Sequence, residues 1–222
     1  MRTSHTVIVC LPADTPHADV LAHASTTLAR HGFTPAATMA HFTTIGRRRG
    51  RALIQPHNGA AAGGPIRLLD LSGMRTRAQH AAHLRWQIWR QIVAGTPNAK
   101  PFWHYAQRHH DNPERYPHER AQQEYLSQPR VLAMTTHNAV PGQPCPLPTE
   151  QLEALQAGAQ AYATLGWLQA VPPDAMCTTA NWWTPATGRL TDVTAYLHTT
   201  NQHLDHAHRD AILLALAVPT TG

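Results

Sequence analysis

Lysine is nearly missing from this sequence. Lys100 is the one lysine among eighteen basic residues, the other seventeen being arginine. With abundant Ala, Pro and Thr and 17 His, this reads as the codon usage of a GC-rich genome, so the histidine count alone argues for no metal site. Cysteine is equally sparse. Cys10, Cys145 and Cys177 are odd in number and contain no CxxC spacing, which excludes a disulfide framework and a structural zinc site and fits a reducing compartment. No apolar run approaches the ~20 residues that cross a bilayer. The run Val7 to Leu11 is too short for the core of a signal peptide. The expectation is therefore a cytoplasmic chain with no membrane partner. Also absent are GxSxG, GxxxxGK[ST], GxGxxG and HExxH, so no nucleophile elbow, phosphate loop, dinucleotide fingerprint or zincin helix is present, and no cofactor is expected.

What is present most clearly is one helix. Stepping about 100° per residue from Arg75 to Val93, the residues Ala78, Ala81, Ala82, Trp86, Ile88, Trp89, Ile92 and Val93 fall within an arc of about 160°. Gln79, His80, His83, Gln87, Arg90 and Gln91 take the other side. Arg85 breaks the pattern by projecting near the centre of the apolar stripe, where an unpaired guanidinium is costly to desolvate. It either snorkels, meets a buried acid (Asp70, Glu119 or Glu124), or lines a site.

Ahead of this helix, Thr6 to Leu11 (TVIVCL) reads as a buried strand. Thr15 and Pro16 open a helix with Val20, Leu21, Ala24, Thr27 and Leu28 on one side and Gly32 at its end. Phe33 to Thr44 reads as a second strand, which completes a β-α-β pattern. Ala52 to Gln55 and Pro65 to Leu71 read as two further strands, with an Asn58–Gly59 turn signal between them. Residues 100–138 read as three helices punctuated at Pro101, Pro117 and Pro129. Four prolines in 141–148 read as an extended linker, the place for a subdomain boundary in what is otherwise taken as a single domain, 1–222. Thr149 caps one long helix, Glu150 to Ala170. A strand or hairpin arm follows over Ala175 to Thr184, then a helix from Thr191 to His203 and a terminal strand from Ala211 to Val218. The expected class is α+β (or α/β): a small mixed sheet, an N-terminal β-α-β unit and a helical middle section.

The first ~45 residues resemble the opening of the serine recombinase (resolvase) catalytic domain. Leu11 and Ala13 stand where that family carries its catalytic Arg and Ser, so the resemblance implies a non-catalytic relative. The stretches PIRLLDLSGM, RWQIWRQIVAGTP, RYP and QPRV resemble proteins of actinomycetes carried on integrative elements or plasmids. That resemblance implies a genomic setting and no activity.

Several groupings invite function. Residues 1–97 carry eleven Arg against three Asp, a net +8, while 98–222 carry seven basic against ten acidic residues, a net −3. Within the basic half, IGRRRGR places Arg47, Arg48, Arg49 and Arg51 between glycines, a loop suited to bidentate pairing with phosphates but lacking aromatics for base stacking. HLDHAHRD places His203, Asp205, His206 and His208 at metal-ligand spacings. His104, His109, His110, Asp111 and His118 form a second cluster, open to acid–base work or to simple packing. Trp182 and Trp183 would anchor a protein partner if exposed. Three readings follow. The leading one is a non-enzymatic binding protein that contacts nucleic acid as the accessory of a mobile element. The alternatives are a metal- or His/Asp-dependent hydrolase or nuclease, and a protein-interaction module.

Overall fold

Alternation decides the first strand, β1 (Ser4–Leu11). In the computed structural model, Val7, Val9 and Leu11 enter one apolar layer, while Ile8 and Cys10 enter the other. A strand buried on both faces needs covering on both. Structure is described for residues 4–35, 37–46 and 50–219, and the chain divides into two compact units, one of residues 1–77, 167–187 and 191–222, the other of 78–166 and 188–190.

In the first unit β1 runs antiparallel to the long C-terminal strand β8 (Ile212–Pro219), with Val7 opposite Leu216, and parallel to β6 (Ala175–Cys177). β7 (Trp182–Trp183) folds back on β6 as a hairpin. The far side of β8 is shared by β2 (Ala37–Thr38) and β5 (Gly63–Pro65), both antiparallel to it. The fold is thus mixed α+β. Its N-terminal β-α-β unit is split, since β8 lies between β1 and β2. The helix of that unit, α1 (Val20–Arg30), buries Val20, Ala24 and Leu28 against the layer of Val7 and Val9. It closes as a Schellman motif, Gly32 N–H donating to Ala29 O (3.0 Å) and Phe33 N–H to Leu28 O (3.0 Å), which delivers Phe33 to the sheet. A two-stranded ribbon pairs β3 (Phe42–Thr43) with β4 (Ala60–Ala61), and the predicted Asn58–Gly59 turn just ahead of β4 is closed by reciprocal His57–Ala60 bonds.

Two predicted strands are turns instead. Residues 52–55 contribute only a bridge between Ile54 and Gly63, and Ile66–Leu68 is a 3-10 turn. Leu68 and Leu69 are both buried all the same, in the layer of Ile8 and Cys10. The central helix, α2 (Leu71–Ile92), starts four residues before its apolar periodicity does. Asp70 is the cause. Its carboxylate accepts Gly73 N–H (3.0 Å) and its carbonyl accepts Met74 N–H (2.9 Å), an N-terminal cap in a segment expected to be strand.

Helices build the second unit: the part of α2 beyond Ala78, α3 (Phe102–Asp111), α4 (His118–Leu126), α5 (Pro129–Asn138), α6 (Leu152–Gln156) and α7 (Ala159–Gln169) as far as Gly166. Pro101, Pro117 and Pro129 punctuate α3, α4 and α5 as expected. Along α2, Trp89 is buried and Trp86 donates its indole N–H to Leu155 O (2.9 Å), but Ala81 is exposed. The single helix expected over 150–170 is two helices broken at Gly158, whose φ of +111° no helix contains. The proline-rich segment 141–148 lies inside this unit and is pinned rather than loose: Asn138 donates to Leu147 O (2.8 Å) and accepts Leu147 N–H (2.7 Å). Arg130 holds the chain beyond α2 through Thr96 O (2.7 Å), Asn98 Oδ1 (2.6 Å) and Gln156 Oε1 (2.9 Å). The last helix, α8 (Leu190–His206), returns the chain to the first unit.

The tightest backbone approach is at β5. A Cβ on Gly63 would stand 2.1 Å from Leu213 O and 2.9 Å from Leu214 Cα, both main chain. Gly63→Ala is expected to lower unfolding free energy by about 3 kcal/mol, because β5 must part from β8. Urea unfolding measures this as a lower midpoint at unchanged slope.

Candidate functional site

A cleft of about 430 Å³ opens in the first unit, where β1 and β6 begin and β8 ends. Strand parity puts His5 and Val7 on its floor, with Val218 paired across from His5. Phe33, brought in by the Schellman turn, stacks on Trp182 of β7 (ring centroids 4.6 Å apart, planes 15° apart), and both line the cleft. On the far side of the Trp182 ring sits His31, 5.3 Å away. Pro173 and Asp174 lead into β6, and Val193 and Tyr196 come from α8. The walls are mostly apolar, and the volume is that of a small-molecule pocket.

Its polar groups are few. Asp174 accepts Thr6 N–H at 2.8 Å, an anchor that fixes the carboxylate at the mouth of the strand pair. Among the described residues that line the cleft, Asp174 is the one carboxylate, and His5 is exposed. Tyr196 is 6 % exposed, and its hydroxyl has no hydrogen-bond partner. Burial, reinforced by the negative charge of Asp174, pushes that phenol far above its usual range, so it stays protonated. The arrangement offers an aromatic wall, a fixed negative charge and a hydroxyl able to donate or accept. Among the described residues that line it, no nucleophile is paired to a base.

The groups marked by sequence are elsewhere. Arg47, Arg48 and Arg49 lie outside the described residues; Arg51 is exposed in a 3-10 turn, Gly50–Ala52. The charge contrast between the halves of the sequence is not a contrast between the units. By sequence the first carries ten Arg against seven Asp (+3), the second eight basic against six acidic residues (+2). Within the first, Arg67 pairs with Asp210 and Arg75 with Asp205 (2.8 Å), each joining the basic half to the acidic one.

His203, Asp205, His206 and His208 do not converge. His203 packs on Trp183 (5.0 Å), Asp205 faces Arg75, His206 bonds Gln202 O (2.7 Å), and His208 accepts Asp210 N–H (3.2 Å). Among the described residues no three His, Cys, Asp or Glu are grouped to hold a metal. In the second unit His109 bonds Tyr116 O (2.9 Å) and packs on His118. Arg85 meets neither Asp70, Glu119 nor Glu124. It lies beside the Tyr162 phenol and the Cys145 thiol, and the Tyr162 hydroxyl donates to Gln151 Oε1 (2.8 Å). Trp182 and Trp183 are both half-buried.

No family model matches the chain, and neither does any curated protein or solved structure.

Sequence reasoning marked Trp182 but missed His5, Phe33, Asp174 and Tyr196 as a group. They are spread over nearly two hundred residues, and each reads alone as strand, turn or helix stripe.

The three thiols divide by environment. Burial pushes Cys10 up to about 11 and Cys177 up to about 12, whereas Cys145 is half-buried. Thiolate is the reactive form. At pH 8 in native protein, a chromogenic disulfide reagent should modify Cys145, while Cys10 and Cys177 should react only after unfolding. Peptide mapping identifies the modified residue.

Proposed function

We propose that this chain is a binding protein whose first unit takes a small ligand in the cleft between Trp182 and Tyr196. The observation that carries the reading is the stacked Phe33–Trp182 pair walling a mostly apolar cavity that also contains a buried, unpartnered hydroxyl. Large apolar clefts with a few converging polar groups are the usual form of ligand sites. The absence of a nucleophile–base pair among the lining residues favours binding over turnover.

Indole tests the reading, being flat, uncharged and small enough for the cleft. Its nine non-hydrogen atoms support a dissociation constant in the low-millimolar range at about −0.4 kcal/mol per atom. Calorimetry of the wild-type chain should show one site, and Trp182→Ala should weaken it at least about tenfold, since an aromatic pair contributes about 0.5 to 1.5 kcal/mol beyond the area it covers. Unaltered binding in that variant, at an unaltered unfolding midpoint, would place the ligand elsewhere.

The run Ile45 to Arg51 supports a second reading, contact with nucleic acid through Arg47, Arg48, Arg49 and Arg51. What favours it is that the run emerges from Gly46 (φ +73°) and ends in an exposed Arg51. Released counterions set the salt slope at about 0.9 per phosphate contacted. Replacing the four arginines with Ala should flatten a log affinity against log salt plot by about three to four units. Filter binding at graded salt measures it, and an unchanged slope removes the loop.

A further inference from the structure

We infer that the Tyr196 hydroxyl selects the occupant of the cleft, whose ligand class is a small aromatic molecule bearing a hydrogen-bonding group: a phenol or an N–H heterocycle rather than a bare hydrocarbon. The inference rests on the cleft being a ligand site, and it goes on to assign the side chain that reads the ligand and what that side chain requires of it.

Among the described residues that line the cleft, the polar groups are not equivalent. His5 is exposed and meets water. Asp174 is already engaged, accepting Thr6 N–H at 2.8 Å among its contacts. The Thr184 hydroxyl donates to Asp174 O (3.5 Å). Tyr196 differs from all three: the residue is 6 % exposed, and its hydroxyl is buried with no hydrogen-bond partner. A polar group buried in this way weakens the fold that holds it, and phenylalanine would fill the same space without that cost. The hydroxyl therefore contributes nothing to the free protein that the ring does not, and it gains its bond when an occupant brings one. Burial keeps the phenol protonated, so it can both donate and accept. Water does not reach the oxygen, so a bond made there meets no competition from solvent. Sites built to bond a ligand's hydroxyl or N–H reject the analogue that lacks it, because the site's own polar group is then left unpaired. The other walls, Val7, Ala175, Val218 and the Phe33–Trp182 stack, match an apolar or aromatic body. A hydrocarbon would fill those walls and leave the hydroxyl as unpartnered as before.

Phenol and toluene share one shape and differ by a hydroxyl against a methyl group. Each is titrated at pH 7, with binding followed by NMR, into the full wild-type chain and into Tyr196→Phe. The quantity read is the ratio of phenol to toluene affinity, in which the general preference of apolar walls for a methyl group cancels between the two proteins. Loss of the Tyr196 hydroxyl should lower that ratio at least about fivefold; where toluene binds too weakly to measure, phenol's own loss is read in its place. Urea unfolding of the ligand-free proteins is the second measurement, and Tyr196→Phe should hold or raise the midpoint, because it removes an unpartnered group and keeps the ring. A smaller change in the ratio overturns the assignment of Tyr196 and leaves the cleft a ligand site. A lowered midpoint overturns it as well, since the hydroxyl would then be bonded in the free protein. Failure of phenol to bind where indole binds also overturns the inference. Failure of phenol, toluene and indole together overturns the cleft itself.

Discussion

The guanidinium of Arg75 is the point on which the first unit closes. Its side chain is 11 % exposed. One nitrogen donates to Asp205 (2.8 Å), a second to the amide oxygen of Asn201 (2.7 Å), and the plane stacks on Trp167 at 4.6 Å. Asn201 is itself buried and spends its amide protons on Leu168 O (2.9 Å) and Leu197 O (2.8 Å). One arginine thus ties the first turns of α2, the last turn of α7 and the C-terminal turns of α8. Removing one member of such a group strands the others, at about 1 to 3 kcal/mol for each buried polar atom. The segments that return the chain to the sheet, β6 with β7 and then β8, follow directly from the two helices so fixed. Asp174 leads into β6, and Tyr196 lies in α8 itself.

Elements whose signal is local were legible. Proline and glycine punctuation located α3, α4 and α5, the β-branched run gave β1, and the Asn58–Gly59 turn and the terminal strand were read correctly. Each depends on residues within a few positions of one another. The failures have a common form. The carboxylate of Asp70 reaches forward to cap α2 and converts a presumed strand into a turn and a helix start. The φ of Gly158 divides one helix into two. In each case a backbone-directed effect overrode apolar patterning, which cannot by itself distinguish a short buried strand from a buried turn.

Arg75 and Arg85 show a related limit. Periodicity marked Arg85 as anomalous because it projects from the apolar stripe, yet its neighbours are a phenol and a thiol rather than an acid. Arg75, at the edge of the periodic segment, raised no alarm although its side chain is 11 % exposed. What would have exposed it is Asn201, a primary amide on the apolar side of a helix with Leu197 and Leu204, which demands a long-range partner. The charge contrast between the sequence halves misled in the same way. Charge along the chain is not charge across a surface, and Arg67–Asp210 and Arg75–Asp205 join residues 143 and 130 positions apart.

The cleft stands apart from the rest of the protein in how its polar atoms are treated. Asn138, Gln156 and Asn201 each make two bonds that hold backbone in place. Among the described residues, five buried side-chain atoms lack a partner: Nε of Arg75 and of Arg85, Nε1 of Trp89, Nε2 of His31 and the Tyr196 hydroxyl. Arg75 bonds through other atoms of the same group, Arg85 lies beside a phenol and a thiol, and Trp89 lies beneath the Arg130 guanidinium at 5.6 Å. His31 packs at a tilt against the Trp182 ring. Tyr196 alone of the five lines the cleft, and its hydroxyl is the whole of its polar function. Its covered oxygen shares the cleft with the Asp174 carboxylate and the Phe33–Trp182 stack, the combination on which the proposed ligand reading rests.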